Sequence, residues 1–596
     1  MYLKTLQRII LVSAVVGLCG CSGFERVDSE PVQAPVDVVM SVGGVSSTRT
    51  AYDPDVRNFV WNDGDKIAVW AKSQDGSYSL NCQTFNLLAS RSDKSGAYFT
   101  ATLQAPMEQG AYTYYMSYPL PESVEGTNAR FTVPAVQDGS ASDGVDIIVA
   151  APVVGPELSP LVEASPIDQD NVLTVTMKHL LHYLRFYIPE GQNVLGEPVT
   201  RIEFTMPRPV AGSVSVDVAD ASTASLPGGV ASMRLDLKAP IEDKVGSEAV
   251  AGIFPPSGTY GSEDQMTVTV YSDSKWADLP PVRLDGRSFP AGHVTPVPLK
   301  PTDAKPLLWF TLDSNNLGED PQNVKLSLPT GDNWPGTDSN VLAFTGEHDG
   351  LIKVGDTFVF KADDDEAFRN LSSKALTVTY ESESAIVTEN VTIGDLSSMS
   401  KPLCTLNCPY LFFEDFSGVK KDFTSDDGYV KGWPFTGSKD PKTDFLEGWS
   451  AARAGGQSGT AIRIACRGEL AGVNYPARAD SPFLSGIKDG MAVDLSISYD
   501  YSMNRQGLDI SQTVYFGYTD KAGGIKSGDD SGTFTDSFEI NETTGSYSNI
   551  DHEANVVLSG MTSSYRLSWR TIPKSDWKGY TTCWLYIDNI KVKIKK

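Results

Sequence analysis

The chain has 596 residues, 49 basic against 75 acidic side chains and a net charge of −26. That length sets an expectation of about four domains. The one basic run is the closing "KVKIKK" (591–596), which excludes nucleic-acid binding, since phosphate contacts need clustered Lys and Arg. An acidic surface instead suits solubility outside the cell.

In chain order, Lys4 and Arg8 precede the apolar run 9–18, about half the ~20 residues a membrane span needs. This reads as a signal peptide, residues 1–20. Leu18-Cys19-Gly20-Cys21 has the form of a bacterial lipobox, with Cys21 becoming the diacylated N-terminus and Cys19 leaving with the signal. The expectation is a chain tethered to the outer membrane through lipid and facing the cell surface, because each buried methylene contributes about 0.8 kcal/mol. Residues 21–36, polar and proline-bearing, read as a flexible spacer.

Beyond the spacer, period-two alternation dominates: "SVSVDV" (213–218), "MTVTVY" (266–271), "LTVTY" (376–380) and "VDLSISYDYS" (493–502). With 52 Gly and 36 Pro punctuating such runs, the expected fold class is all-β, built of sandwiches, with any helix short. Breaks at "GPELSPLVEASPIDQD" (155–170), "LKPTDAKP" (299–306) and "NCPYLFFEDF" (407–416) mark four units: 37–165, 170–300, 304–408 and 409–596. Five cysteines remain after the anchor, Cys82, Cys404, Cys408, Cys466 and Cys583. Odd and scattered, they are no disulfide framework. Cys404 and Cys408 fall on one face of a strand with Cα atoms about 13 Å apart, beyond disulfide reach, and read as small buried hydrophobes.

Several phrases in residues 48–299 carry a resemblance: "TRTAYDPDVRNFVWNDGDKIAVWA" (48–71), "TMKHLLHYLRFYIPEG" (176–191) and "FPAGHVTPVPL" (289–299). Read locally, Asp63-Gly64 is a hairpin turn between Phe59/Trp61 and Ile67/Val69, and "HLLHYLRFYI" is a buried strand in which His179 and His182 read as hydrogen-bonded core or rim residues, ligands being the alternative. Together, and in this order, the phrases resemble the fimbrillin family of anchored surface and fimbrial proteins. The resemblance implies two transthyretin-like β-sandwiches in tandem. It also implies lipoprotein export, removal of an N-terminal strand by an Arg-specific protease, and insertion of a neighbour's strand into the vacated groove. Arg49 is the best-placed site for that cut; an ordinary exposed arginine is the competing reading. The chain continues far past Lys300, which would hinder head-to-tail stacking, so a tip or accessory adhesin is expected over a repeating subunit.

The last unit differs. "YLFFEDFSG" (410–418), "GWSAARAGGQSGTAIRI" (448–464), "ARADSPFLSG" (477–486) and "WLYIDNIKVKI" (584–594) resemble jelly-roll modules of the carbohydrate-binding and cleaved-adhesin kind. Five of the ten tryptophans fall here. Trp449 and Trp584, in strand-like runs, read as core; Trp433 and Trp577, in loop-like runs, are the candidate ligand contacts. In such modules the first and last strands often share a structural Ca²⁺, for which Glu414, Asp415 and Asp588 are the oxygen donors to consider, solvated strand-end carboxylates being the alternative.

Other sites fail on inspection. "DSNNLGEDPQNV" (313–324) has Leu317 and Val324 where a calcium loop needs oxygens. "DDDE" (363–366) reads as a solvated turn. No zinc spacing, nucleophile elbow, P-loop or dinucleotide fingerprint is present. The sequence therefore points to a non-enzymatic surface adhesin whose expected partners are glycan or host protein and other fimbrial subunits. The alternatives are a structural subunit assembled by strand exchange and a glycan-processing surface enzyme.

Overall fold

The computed structural model describes residues 35–43, 51–53, 58–61, 63–88, 96–140, 146–161, 172–346, 349–417, 448–452, 454–457, 461–468, 474–475, 477–505, 512–522, 530–540, 543, 550, 552–573 and 581–596. The fold is all-β, as the alternation predicts. In Val493–Arg505, for instance, Leu495, Ile497 and Tyr499 are fully buried while Asp494 and Ser496 face outward. Among the described residues the one α-helix is Asp365–Arg369, and no helix is long and apolar enough to cross a membrane.

That helix corrects the reading of "DDDE" as a turn. The Asp364 side chain accepts from Ala367 N at 2.8 Å as an N-cap, Asp365 and Glu366 occupy the first turn where the helix dipole favours negative charge, and Phe368 anchors the segment in the core.

The opening strand, Val36–Gly43, pairs antiparallel with Gly96–Leu103 along its whole length, from Val36↔Leu103 to Gly43↔Gly96. Its other edge meets Thr174–Val175 in parallel over two residues, and Val39 N donates to Ser159 O at 3.1 Å. Val38, Met40 and Val42 enter the first core.

Asp63-Gly64 does turn the chain, with Gly64 at φ +93°, but it closes no hairpin. Asn58–Val60 pairs with Ala51–Asp53, whereas Lys66–Ser73 lies between Tyr78–Leu87 and Ala111–Tyr118. The reason is burial on both faces: residues 67–71 are all fully buried, which only a central strand accommodates.

The "HLLHYLRFYI" run is buried but divided. Met177–His179 pairs with Ile148–Ala150 in the first sheet, and His182–Tyr187 lies between Glu248–Ile253 and Val294–Pro298 in another. Both histidines are structural. His179 Nδ1 sits 2.6 Å from Asp146 Oδ2. His182 contacts Pro290 O at 2.8 Å and Thr295 Oγ1 at 2.9 Å, and burial lowers its pKa to about 4, so the ring is neutral near pH 7.

Pairing crosses every expected unit boundary. Asn128–Val133 hydrogen-bonds with Gly212–Asp217, and Val136–Gln137 with Ser232–Ile241. Lys275–Asp278 pairs with the start of Lys305–Asn315, through Lys275↔Pro306 and Trp276↔Lys305. Around that join Trp276 Nε1 donates to Ala362 O at 3.2 Å and Trp309 Nε1 to Asp273 O at 2.9 Å, while the Arg201 guanidinium lies 4.6 Å from the Trp309 ring centre. A single hydrophobic cluster then runs from Leu308 to Ile594. Within it Cys404 and Cys408 are buried along Leu403–Cys408, as the spacing predicts.

Residues 313–324, which fail as a calcium loop, dock the last strand. Leu317 is fully buried, its carbonyl accepts from Ile594 N at 2.7 Å, and Gly318 stands at φ +92° with room for no side chain: a Cβ there would fall 2.1 Å from Ile594 O. Gly318→Ala is expected to destabilise the protein by about 2–4 kcal/mol, through left-handed strain plus displacement of the strand. Urea unfolding measures it, and an unchanged midpoint would contradict this docking.

Candidate functional site

The C-terminal module is two facing sheets. In the seven-stranded one, Thr581–Ile594 lies between Ala461–Gly468 and Val493–Arg505, and Phe412–Glu414 pairs with its far half through Glu414↔Ile590. The first and last strands of the module are therefore neighbours, as the jelly-roll resemblance implies. At that corner four carboxylates gather. Register sets Asp500 opposite Asp588, with Glu414 and Asp415 arriving from the first strand. Asn589, at φ +49°, donates its backbone N–H to Asp588 Oδ1 and its side-chain amide to Asp500 Oδ2, both at 2.8 Å. Glu414 Oε1 accepts from Phe416 N at 2.9 Å, and Asp415 Oδ1 from Ser417 N at 3.0 Å.

Burial first, then the charges of Asp415, Asp500 and Glu414, push Asp588 up to about 6. Burial likewise raises Glu414, while Ser417 lowers Asp415. Glu414, Asp415 and Asp588 are thus brought to one corner and joined by Asp500 from Val493–Arg505. No local signal marks it, since its importance comes from the opposing strand. Mutual repulsion is not coordination, however: among the described residues no group of three or more His, Cys, Asp or Glu converges closely enough to hold a metal. The described carboxylates by themselves do not make a calcium site.

The corner carries a pH dependence. Because Asp588 holds its proton more tightly folded than unfolded, the folded state is favoured below the ordinary value of 3.8, and that advantage is lost as pH rises through about 6. Asp588→Asn is expected to stabilise the protein at pH 7 by about 1 kcal/mol, after discounting for its solvent exposure, and to have no such effect at pH 3.5. Melting curves at the two pH values test this, and calcium and chelator are expected to give the same curve.

The facing five-stranded sheet has the order Ser450–Ala452, Ala477–Phe483, Arg566–Pro573, Gln512–Thr519, Thr533–Ile540. One face packs inward, with Trp449 stacked on Trp569 at 6.1 Å and 23°; Trp449 is core, as expected, and Trp584 is half-buried. The other face carries a polar row in which Ser450, Asp480, Ser568 and Gly517 are successive cross-strand partners. Arg478 grips Asp480 with both nitrogens, Nε–Oδ1 at 2.8 Å and an Nη–Oδ2 contact at 3.1 Å, and Ser568 Oγ donates to Asp480 Oδ1 at 2.6 Å. The Arg478 guanidinium also donates to Ser531 O at 2.6 Å. Arg566, almost wholly buried, donates to Gly448 O at 2.5 Å, to Ser450 Oγ at 3.3 Å and to Ser481 O. Alternating Arg and Asp against Ala477 and Ala479 in "ARADSPF" was the available signal for this network.

Cys21, Arg49, Trp433 and Trp577 lie outside the described residues. Their attachment points do not. The segment bearing Trp433 ends at Gly448, held by Arg566, while the segment bearing Trp577 begins after Pro573. These two ends of Arg566–Pro573 are about 23 Å apart by strand rise, so the structure does not bring the two anchor points together.

No family profile matches the sequence, and no curated protein matches it. Solved structures do. Two are each described as a "putative cell adhesion protein". The one from Bacteroides uniformis ATCC 8492 is 15% identical, with 45% of this chain and 97% of that chain covered and a TM-score of 0.30. The one from Bacteroides ovatus ATCC 8483 is 11% identical, covering 46% and 96% with a TM-score of 0.32. A fimbrial assembly protein from Parabacteroides distasonis ATCC 8503 is 11% identical, covering 46% and 94% with a TM-score of 0.24.

Proposed function

We propose that this protein is a non-enzymatic, lipid-anchored surface adhesin of fimbrillin type, a tip or accessory subunit that accepts a neighbour's strand but donates none. The observation that carries the reading is the pairing of the strands after the second unit. Lys305–Asn315, which follows Val294–Pro298 almost directly, pairs antiparallel with Thr357–Lys361 and parallel with Leu403–Cys408. Thr581–Ile594 is flanked on both sides by strands of its own sheet. Neither is free to enter another molecule. Val36–Gly43, by contrast, is a separable strand with an alternating apolar face, upstream of Arg49, and its removal would open a slot of the kind that β-augmentation fills.

Binding of glycan or host protein is assigned to the C-terminal module, through the segments that carry Trp433 and Trp577. The test is a glycan-array and host-protein screen with the full chain, since this module shares its core with residues from 308 onward. Trp433→Ala and Trp577→Ala are made separately because their anchor points stand at opposite ends of a strand. Loss of specific binding in either variant, with an unchanged melting temperature, supports the adhesin; no binding on any surface would remove that part of the reading. Anchoring is tested by Cys21→Ser, which is expected to release the protein from the membrane fraction.

A further inference from the structure

The antiparallel ladder between Ala461–Gly468 and Thr581–Ile594 runs in unbroken register from Ile462↔Ile587 to Gly468↔Thr581 and makes Cys466 and Cys583 direct partners. The two cysteines therefore occupy directly opposed register positions on neighbouring strands of one sheet. Directly opposed residues in an antiparallel pair have Cα atoms about 4.5–5.5 Å apart, inside the roughly 4.4–6.8 Å that a disulfide spans.

We infer that Cys466 and Cys583 form a cross-strand disulfide when the folded chain meets a thiol–disulfide oxidant. Two thiols give one S–S bond; their two protons and two electrons reduce the oxidant, a disulfide of the glutathione class, to two thiols. The other candidates lack a partner geometry: Cys404 and Cys408 are inward positions of one strand with Leu406 between them, and Cys82 lies in a different sheet. An odd cysteine count is therefore compatible with one bridge. The bond would staple the module's central strand to its neighbour and close a loop of more than a hundred residues, the long-loop case in which a cross-link most restricts the unfolded chain.

The test uses the purified full chain, incubated natively with glutathione disulfide, then denatured, alkylated and mapped by peptide mass. The expected result is one cross-linked peptide joining Cys466 to Cys583, with Cys82, Cys404 and Cys408 alkylated. A melting temperature several degrees above that of the reduced chain is also expected, the rise being absent in Cys466→Ser and Cys583→Ser. Full alkylation of both cysteines, glutathione adducts on each, or a bond from either to another cysteine would overturn the inference. Because the readout is made on purified protein, it is independent of export, anchoring and adhesion.

Discussion

A chain lacking residues 36–43 is expected to lose roughly 5–9 kcal/mol of stability in its first sheet. The figure comes from Val38, Met40 and Val42, exposed 1%, 0% and 3%, at about 1.5–3 kcal/mol for each buried side chain. Such a loss is comparable with the whole stability of a domain, about 5–15 kcal/mol, so the truncated chain should melt far below the intact one or fail to fold its first unit at all. The vacated edge of Gly96–Leu103 would then offer a full row of backbone donors and acceptors above an apolar groove. A synthetic octapeptide VDVVMSVG, added in trans, is expected to restore most of the lost melting temperature. A peptide with the apolar positions displaced by one should not, because a one-residue slip turns every side chain to the opposite face. Equal rescue by both peptides would mean that the groove reads no register.

The second large effect is expected at Asp480. Asp480→Ala leaves Arg478, 1% exposed, with its charge buried and its carboxylate partner gone, and strands the Ser568 hydroxyl. Breaking a buried pair in this way costs about 3–5 kcal/mol. The double variant Arg478→Met/Asp480→Leu removes both charges and should cost less than the single change, since no unpaired ion remains. Urea unfolding followed by fluorescence from the Trp449–Trp569 stack reads the C-terminal module directly. A single variant no worse than the double would show that the pair contributes little to the sheet.

The strands were legible because alternation is a local property. "SVSVDV", "MTVTVY", "LTVTY" and "VDLSISYDYS" all became strands with the expected buried faces. Which strands pair is not local. Nothing in residues 128–133 or 136–137 marks them as partners of 212–217 and 232–241. "LKPTDAKP" looks like a linker by composition, yet Lys305 and Pro306 complete the edge of Lys275–Asp278. The turn at Asp63-Gly64 was visible in its residues, but its hairpin was not, since the burial of residues 67–71 on both faces assigned that strand to the centre of a sheet. At the acidic corner, Glu414, Asp415 and Asp588 were singled out from the sequence. Asp500 was not, because only strand register sets it against Asp588. The same limit hid the Cys466–Cys583 opposition, which no spacing rule contains.

The account rests on a chain that accepts a strand and donates none. The most direct test is cleavage of the purified protein with an Arg-specific protease in the presence of excess VDVVMSVG peptide, followed by N-terminal mass analysis and an unheated denaturing gel. The expected result is a chain beginning at Thr50 that holds one peptide and runs as a single species. A ladder of heat-sensitive multiples, formed with or without the peptide, would show that the chain donates a strand of its own and would contradict the account.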